Sequence, residues 1–320
     1  MNFVETINSF PIILTEGAVI ERLNRDPSIK LDPHILHAGL IYDDRGRRAL
    51  EKIYRQYIEI GLKYHFPILL SAPTWRANPE RIEASGFNDH GTLNADCVRF
   101  VKSICGTYNR GAAPAFVGGL MACHGDAYRP REALALQAAA EFHRPQAGML
   151  AEAGVDFILA ATLPAVAEAR GMAAAIADCG LPYVISFVIR PNGKVLDGTP
   201  LHRAIDQIDA STQNQPAFYL INCVHPTVFG QGLRNEITTS TSVRQRLLGL
   251  QANTSSKSPE ELDGLEQLDS SEPEAFAEEL LKLHHQFGIK VIGGCCGTDN
   301  RHIEAIAAKF EKIIKPSASV

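Results

Sequence analysis

A single-domain (β/α)8 barrel spanning residues 1–320 is the fold class this sequence predicts. Three observations lead there. Short β-rich runs alternate eight times with helical stretches, the pattern of parallel βαβ units. The first run closes on Glu16-Gly17-Ala18 rather than a Gly-x-Gly-x-x-Gly loop, which argues against a doubly wound nucleotide-binding sheet. No stretch between the runs has the composition of an interdomain linker.

Apolar, β-branched or aromatic runs bounded by turn residues place strands at residues 10–14, 66–70, 115–120, 155–160, 183–189 and 217–221, a weaker seventh at 246–251, and an eighth at 289–293. The clearest helix is 47–64, where Ile53, Tyr57, Ile60 and Tyr64 recur on one face. Further helices are expected at 94–108, at the Ala-rich 131–153, and at 166–179, 274–286 and 302–314. Between them, His124 to Pro130 forms a polar loop, Pro191-Asn192-Gly193-Lys194 a turn, and the Ser-rich acidic stretch 253–274 a solvated loop or insertion.

Composition narrows the function. Hydrophobic residues make up 45% of the chain and charged residues 21%, with a net charge of −5. Such a chain builds a sizeable core and presents no basic surface for nucleic acid; Arg45, Arg47 and Arg48 fit a solvated helix face. No run reaches the ~18 apolar residues of a membrane span, and the N-terminus lacks the basic start of a signal peptide. Seven cysteines, an odd number, fit a reducing compartment and predict a cytoplasmic protein.

The cysteines then separate. Cys97, Cys105, Cys123 and Cys179 read as small, half-buried thiols. Cys223 ends the sixth strand, and Cys295-Cys296 ends the eighth between Gly294 and Gly297. In a barrel, chemistry gathers at the C-terminal ends of strands, and with one strand between them these three thiols can converge. Three soft ligands point to zinc with one position left open. Three thiolates make a site of formal charge about −1, poor at generating hydroxide and better suited to taking up an incoming thiol as thiolate. The chemistry that fits is alkylation of a thiol. Two alternatives stand beside it: a pair of buried thiols at a tight turn, and a structural zinc completed by His225.

With these residues in place, the chain resembles the homocysteine S-methyltransferase family of zinc-dependent barrels. The resemblance rests on Gly293-Gly294-Cys295-Cys296-Gly297-Thr298 with His302-Ile303 downstream, and on Asn222-Cys223. Phe142-His143, Ala153-Gly154-Val155-Asp156, Ser186-Phe187 and Asp197-Gly198-Thr199 extend it over nearly the whole chain. It implies that Cys223, Cys295 and Cys296 hold Zn2+ and act catalytically through it. It also implies a small-molecule thiol acceptor, homocysteine, and a sulfonium or ammonium methyl donor. Glu16, Gly17, Thr74, Trp75, Thr162 and Asn222 are the expected substrate-binding residues; Trp75 is either a cation–π platform for the donor or a ring packed over the barrel mouth.

The departures bear on the substrate. Glu16-Gly17-Ala18 stands where the family has an aspartate, and Ala72-Pro73-Thr74-Trp75 replaces Thr-Asn-Thr-Tyr. Ala161-Thr162-Leu163-Pro164 replaces a run that begins with glutamate, the residue near the amino group of homocysteine. A buried ammonium without a partner is costly. Either Glu16 takes over that pairing or the acceptor lacks an amino group there. A zinc-binding or redox-sensing protein without catalysis is the reading from another class. The sequence leaves open whether His124, Asp126 and Tyr128 line the pocket.

Overall fold

Eight parallel strands pair in chain order and close into a ring. They are β1 (Ile13–Thr15), β2 (Ile68–Ser71), β3 (Ala115–Met121), β4 (Phe157–Leu163), β5 (Tyr183–Phe187), β6 (Phe218–Val224), β7 (Leu247–Ala252) and β8 (Val291–Gly294). Ile13 pairs with Val291 and Leu14 with Ile292, which joins the first strand to the last. The structure is a computed structural model that describes residues 1–87, 91–108, 113–257 and 271–314. The expected barrel is therefore present, weak seventh strand included.

Helices α1 (Phe3–Ser9), α2 (Ile20–Asn24), α3 (Asp44–Tyr64), α4 (Pro79–Ala84), α5 (Leu93–Gly106) and α6 (Leu136–Glu152) cover the first half of the chain. The second half has α7 (Val166–Ala177), α8 (Leu201–Ser211), α9 (Pro226–Thr239), α10 (Thr241–Arg246), α11 (Pro273–Phe287) and α12 (Asn300–Ile314). On α3 the periodic residues Ile53, Tyr57 and Ile60 are buried against the barrel, and the helix stops at His65, whose φ of 60° is left-handed.

Several boundaries differ from the sequence expectation, for local reasons. The helix expected from residue 131 begins at Leu136, because Pro130 favours a short 3-10 turn, Pro130–Glu132, ahead of it. Strands β4 and β6 each run three residues past their expected ends, carrying Ala161, Thr162 and Cys223 within them. The first strand begins at Ile13 rather than Phe10, which caps α1. Of the acidic stretch 253–274, residues 258–270 lie outside the described residues, while Asn253, Thr254 and Ser255 are buried.

The barrel has two ends with different tasks. At the N-terminal ends of the strands, α1 lays its buried residues Phe3 and Ile7 against the barrel interior. Phe3 stacks on Phe157 with ring centroids 4.5 Å apart and meets Phe116 edge-on at 5.8 Å. Asn2 fixes this helix by a reciprocal capping box with Glu5, each bond 2.9 Å. Ile13, Leu69, Leu159, Val184, Leu220 and Val291 fill the interior above it. The floor is dry and aromatic. Polar groups are left to the opposite mouth.

Candidate functional site

The C-terminal mouth holds a cavity of about 560 Å³, and the three thiols singled out by the sequence lie together in its wall. The sulfurs of Cys223, Cys295 and Cys296 all fall within 4.8 Å of one another. Cys223 Sγ is 2.6 Å from Cys295 Sγ, beyond the ~2.05 Å of a disulfide, and both thiols are free.

Local backbone irregularity brings them there. Cys223 has a φ of 55° and Thr162 a φ of 63°, a left-handed conformation that costs a non-glycine residue about 1–3 kcal/mol. Both lie where the register shifts, between Asn222 and Val224 against β7 and between Ala160 and Leu163 against β5. Asn222 ties the two irregularities together. Its Oδ1 accepts the Thr162 N–H at 3.0 Å and the Ser186 hydroxyl at 2.6 Å. Its Nδ2 donates to Thr162 Oγ1 at 2.7 Å and lies 3.3 Å from Cys223 Sγ. One buried amide thus spans three strands and aims an N–H at the sulfur.

The other two thiols are held by the turn after β8. Cys295 N–H donates to Ala252 O at 2.7 Å and Cys296 N–H to Asn253 Oδ1 at 3.1 Å. Thr298 turns its hydroxyl onto Cys295 O at 2.6 Å. Gly297 has a φ of 83°, and a Cβ on it would fall 1.8 Å from Thr254 Oγ1, so only glycine fits. Gly17 is constrained from the other side: a Cβ there would meet the Tyr57 hydroxyl at 2.8 Å and Thr298 Oγ1 at 2.9 Å.

Hydrogen bonds from Cys295 and Cys296, outweighing burial and helped by Tyr128 and Asn222, hold the Cys223 thiol well below its ordinary value. Cys295 is pushed up, as the thiol that hydrogen-bonds to Cys223 and is itself buried. The remaining cysteines behave oppositely. Burial raises Cys105 to about 11 and Cys123 to about 12, and Cys97 further still. These stay protonated and inert.

The donor set fits zinc. Three sulfurs bonded to one tetrahedral ion at ~2.3 Å would sit ~3.8 Å apart; the three lie within 4.8 Å of one another, and the 2.6 Å between Cys223 and Cys295 would have to open to admit the ion. Among the described residues no fourth protein ligand joins them. His225, the alternative considered from sequence, caps α9: its Nδ1 accepts the Thr227 N–H at 3.2 Å and faces the Thr227 hydroxyl at 2.8 Å.

Glu16, Gly17, Trp75, Thr162 and Asn222 line the cavity with the thiols. Glu16 Oε1 accepts the Ser71 N–H at 3.1 Å, while Oε2 is buried without a partner among the described residues. Burial pushes its carboxyl up to about 8. Thr74 is absent from the lining. Its hydroxyl is spent between Leu120 O at 2.9 Å and Leu120 N at 3.0 Å, tying the loop after β2 to β3. Trp75 carries the Arg76 guanidinium over its ring at 4.5 Å, so one face is already covered by a cation. Arg76 is itself anchored on Cys123 O and Gly125 O, each at 2.8 Å.

The loop left open by the sequence divides. Tyr128 lines the cavity and hydrogen-bonds Cys223, whereas His124 and Asp126 stay out of the lining. His124 instead gives its backbone N–H to the buried Glu168 at 2.6 Å. Sequence reasoning missed His37 and the loop before it, which also line the cavity. The only hint was a histidine set among apolar residues, Ile35-Leu36 before it and Ala38 after.

The chain matches the family model of homocysteine S-methyltransferase over residues 13–310. Homocysteine S-methyltransferase YbgG of Bacillus subtilis is 28% identical over 191 residues, 59% of this chain and 58% of that protein. The homocysteine S-methyltransferase of Escherichia coli is 26% identical over 197 residues, 60% and 59%. The chain thus spans about three-fifths of the length of these curated relatives. Among solved structures, the metallated form of the homocysteine methyltransferase MmuM from Escherichia coli superposes with a TM-score of 0.77 at 20% identity, over 95% of this chain and 98% of that one. Its apo form gives 0.68, also at 20% identity, over 95% and 97%. At that identity the likeness is one of fold. The match of the family model over most of the sequence carries the assignment: the chain belongs to the homocysteine S-methyltransferase family.

Proposed function

We propose that this protein is a zinc-dependent S-methyltransferase that moves a methyl group from a sulfonium or ammonium donor to the sulfur of a small thiol, homocysteine in the first instance. The observation that carries this reading is the convergence of Cys223, Cys295 and Cys296 in the wall of one cavity. Cys223, Cys295 and Cys296 would hold the zinc, which supplies a positive centre that deprotonates a thiol at neutral pH and leaves its sulfur nucleophilic. Asn222 and Tyr128, both hydrogen-bonded to Cys223, steady the sulfur cluster. Gly17 lets the chain after β1 pass close to Thr298, which brings Glu16 into the wall.

Glu16 is the carboxyl that meets the ammonium of the acceptor. A nearby cation brings a raised carboxyl pKa down, so Glu16 ionises as the amino acid binds. In the transfer itself the thiolate sulfur forms a bond to the methyl carbon while the bond from that carbon to the donor heteroatom breaks. The electron pair leaves with the donor, which departs neutral. The walls contribute chiefly by holding the two reactants in line. All seven thiols are free, which suits a reducing cytoplasm.

Calorimetric titration of reduced, zinc-loaded protein with L-homocysteine tests this. Binding at neutral pH with release of about two net protons, one from the thiol and one from Glu16, supports thiolate capture beside an ionising carboxyl; absence of binding by folded, zinc-loaded protein rejects homocysteine as the acceptor. A second reading has one observation in its favour: Ala161 lines the cavity and offers no carboxylate. On that reading the acceptor is a thiol without an ammonium at this place. Ala161→Glu should then leave homocysteine use unimproved, whereas a gain would point to an otherwise conventional amino-acid pocket.

A further inference from the structure

Two buried side chains of the cavity carry polar atoms that no group among the described residues satisfies. One is Glu16, through Oε2, and the other is His37, through Nδ1. Another buried histidine, His302, has a partner at each ring nitrogen: Nδ1 is 3.0 Å from Asp299 Oδ1 and Nε2 3.0 Å from Ser271 O. His143 and His124 also leave Nδ1 open, but neither lines the cavity. His37 is therefore the cavity-lining histidine whose Nδ1 is enclosed and left without a partner among the described residues.

The loop before it is built to hold the ring there. Asp32 accepts the backbone N–H groups of His34 at 2.7 Å and Ile35 at 2.9 Å. Asp32 and Leu36 exchange backbone hydrogen bonds of 3.0 Å, and Leu36 adopts a left-handed φ of 54°. His37 follows with 3% of its surface exposed. Burial pushes its imidazole down to about 3, so the ring is neutral at working pH and does not repel a cation.

Neither lysine nor arginine lines the cavity, whereas Glu16, Glu21 and Asp32 do. A wall of this kind matches a cation with hydrogens to donate. A primary ammonium has three; Asp32 is engaged by the His34 and Ile35 N–H groups and Glu21 by the Gly297 N–H and Arg25, which leaves Glu16, and Ala161 offers no acceptor. We propose that His37 is a ligand-binding residue of this cavity, its neutral imidazole accepting a hydrogen bond from the primary ammonium of an amino-acid substrate that Glu16 also contacts. The inference rests on the methyl-transfer reading of the site. The ammonium belongs either to the thiol acceptor or to the methyl donor, and binding measurements separate the two.

Zinc-loaded, reduced full-length wild type, His37→Leu and His37→Gln are titrated calorimetrically with L-homocysteine and with 4-mercaptobutanoate, which keeps the thiol and lacks the amino group. A second arm uses S-methyl-L-methionine and its des-amino analogue. His37→Leu is expected to weaken one amino-acid ligand about tenfold or more, the loss of one hydrogen bond to a charged group. It leaves the corresponding des-amino ligand within about twofold, and His37→Gln, which retains an acceptor, recovers most of the loss. The amino acid that weakens identifies which reactant carries the recognised ammonium. Equal weakening of amino and des-amino ligands, or weakening of neither, overturns the assignment of His37 while leaving methyl transfer intact. Circular dichroism and zinc content confirm folding. Should the Leu variant not fold, His37→Phe, which keeps a flat ring and removes both nitrogens, takes its place with the same expected and overturning outcomes, and des-amino ligands that bind wild type as tightly as the amino acids overturn ammonium recognition outright. Wild type that binds none of these thiols and transfers no methyl group rejects the functional reading itself.

Discussion

Replacing Glu16 by Gln should change how stability depends on pH, with a sign and a window that the structure sets. The carboxyl is 7% exposed, has one hydrogen bond from Ser71, and leaves Oε2 unpaired. Burial therefore holds its folded-state value near 8 against an ordinary 4.5. Below pH 4.5 the group is protonated in folded and unfolded chains alike, and its contribution is fully present. Between 4.5 and about 8 the unfolded chain releases the proton while the folded chain keeps it, so stability falls as pH rises. At about 1.4 kcal/mol per pH unit, the loss across this window is on the order of 5 kcal/mol. Gln keeps an oxygen for the Ser71 N–H and has no proton to lose. Urea denaturation of ligand-free wild type and Glu16→Gln, run in parallel from pH 5 to pH 9, cancels the titrations both proteins share. Glu16→Gln should gain steadily on wild type up to about pH 8 and then hold a constant lead. A difference that stays flat, or that grows in the opposite direction, would refute the claim that desolvation governs this carboxyl.

Cys296→Ser should abolish zinc retention and turnover together, measured by metal analysis after gel filtration and by methyl-transfer assay, because a hydroxyl is a poor substitute for a thiolate ligand. Gly297→Ala should also fail to hold metal and should lose about 1–3 kcal/mol of stability in denaturation, since the added Cβ collides with Thr254 at a φ reserved for glycine. Phe3→Ala at the opposite end should cost about 3–5 kcal/mol by removing the ring stacked on Phe157, while zinc content stays at the wild-type level.

The barrel was legible in sequence because short continuous apolar runs and period-3.6 faces are local signals, and α3 shows it plainly with Ile53, Tyr57 and Ile60 on its buried side. The thiol pair was legible for a different reason: two adjacent cysteines between glycines at a strand end have few bland explanations. The rest depends on contacts distant in the chain. Thr74 looked like a ligand residue by position, yet its hydroxyl is consumed by the backbone of Leu120, 46 residues away. Trp75 looked like an open platform, and the neighbouring Arg76 covers one of its faces. His37 gave no more than the hint of a histidine among apolar residues, because its importance lies in the hydrogen bond it lacks. The left-handed turns at Thr162 and Cys223 were equally hidden, since neither residue type advertises a positive φ and the amide that stabilises them sits on a single strand.

Closure of the ring between β1 and β8 also fixes an order of events during synthesis. Cys223 leaves the ribosome 72 residues before Cys295, and β8, whose following turn holds Cys295 and Cys296, is the last of the eight strands to be made. Until it docks, β1 has an unpaired edge and Cys223 has no partner sulfur. A nascent chain therefore exposes a lone thiol, not yet activated by its partner sulfurs, on an open sheet prone to edge pairing with another chain. The final strand ends both conditions in one step, covering the edge and completing the thiol cluster. A metal ion bound to that cluster would act as the latch of the fold as well as the instrument of its chemistry.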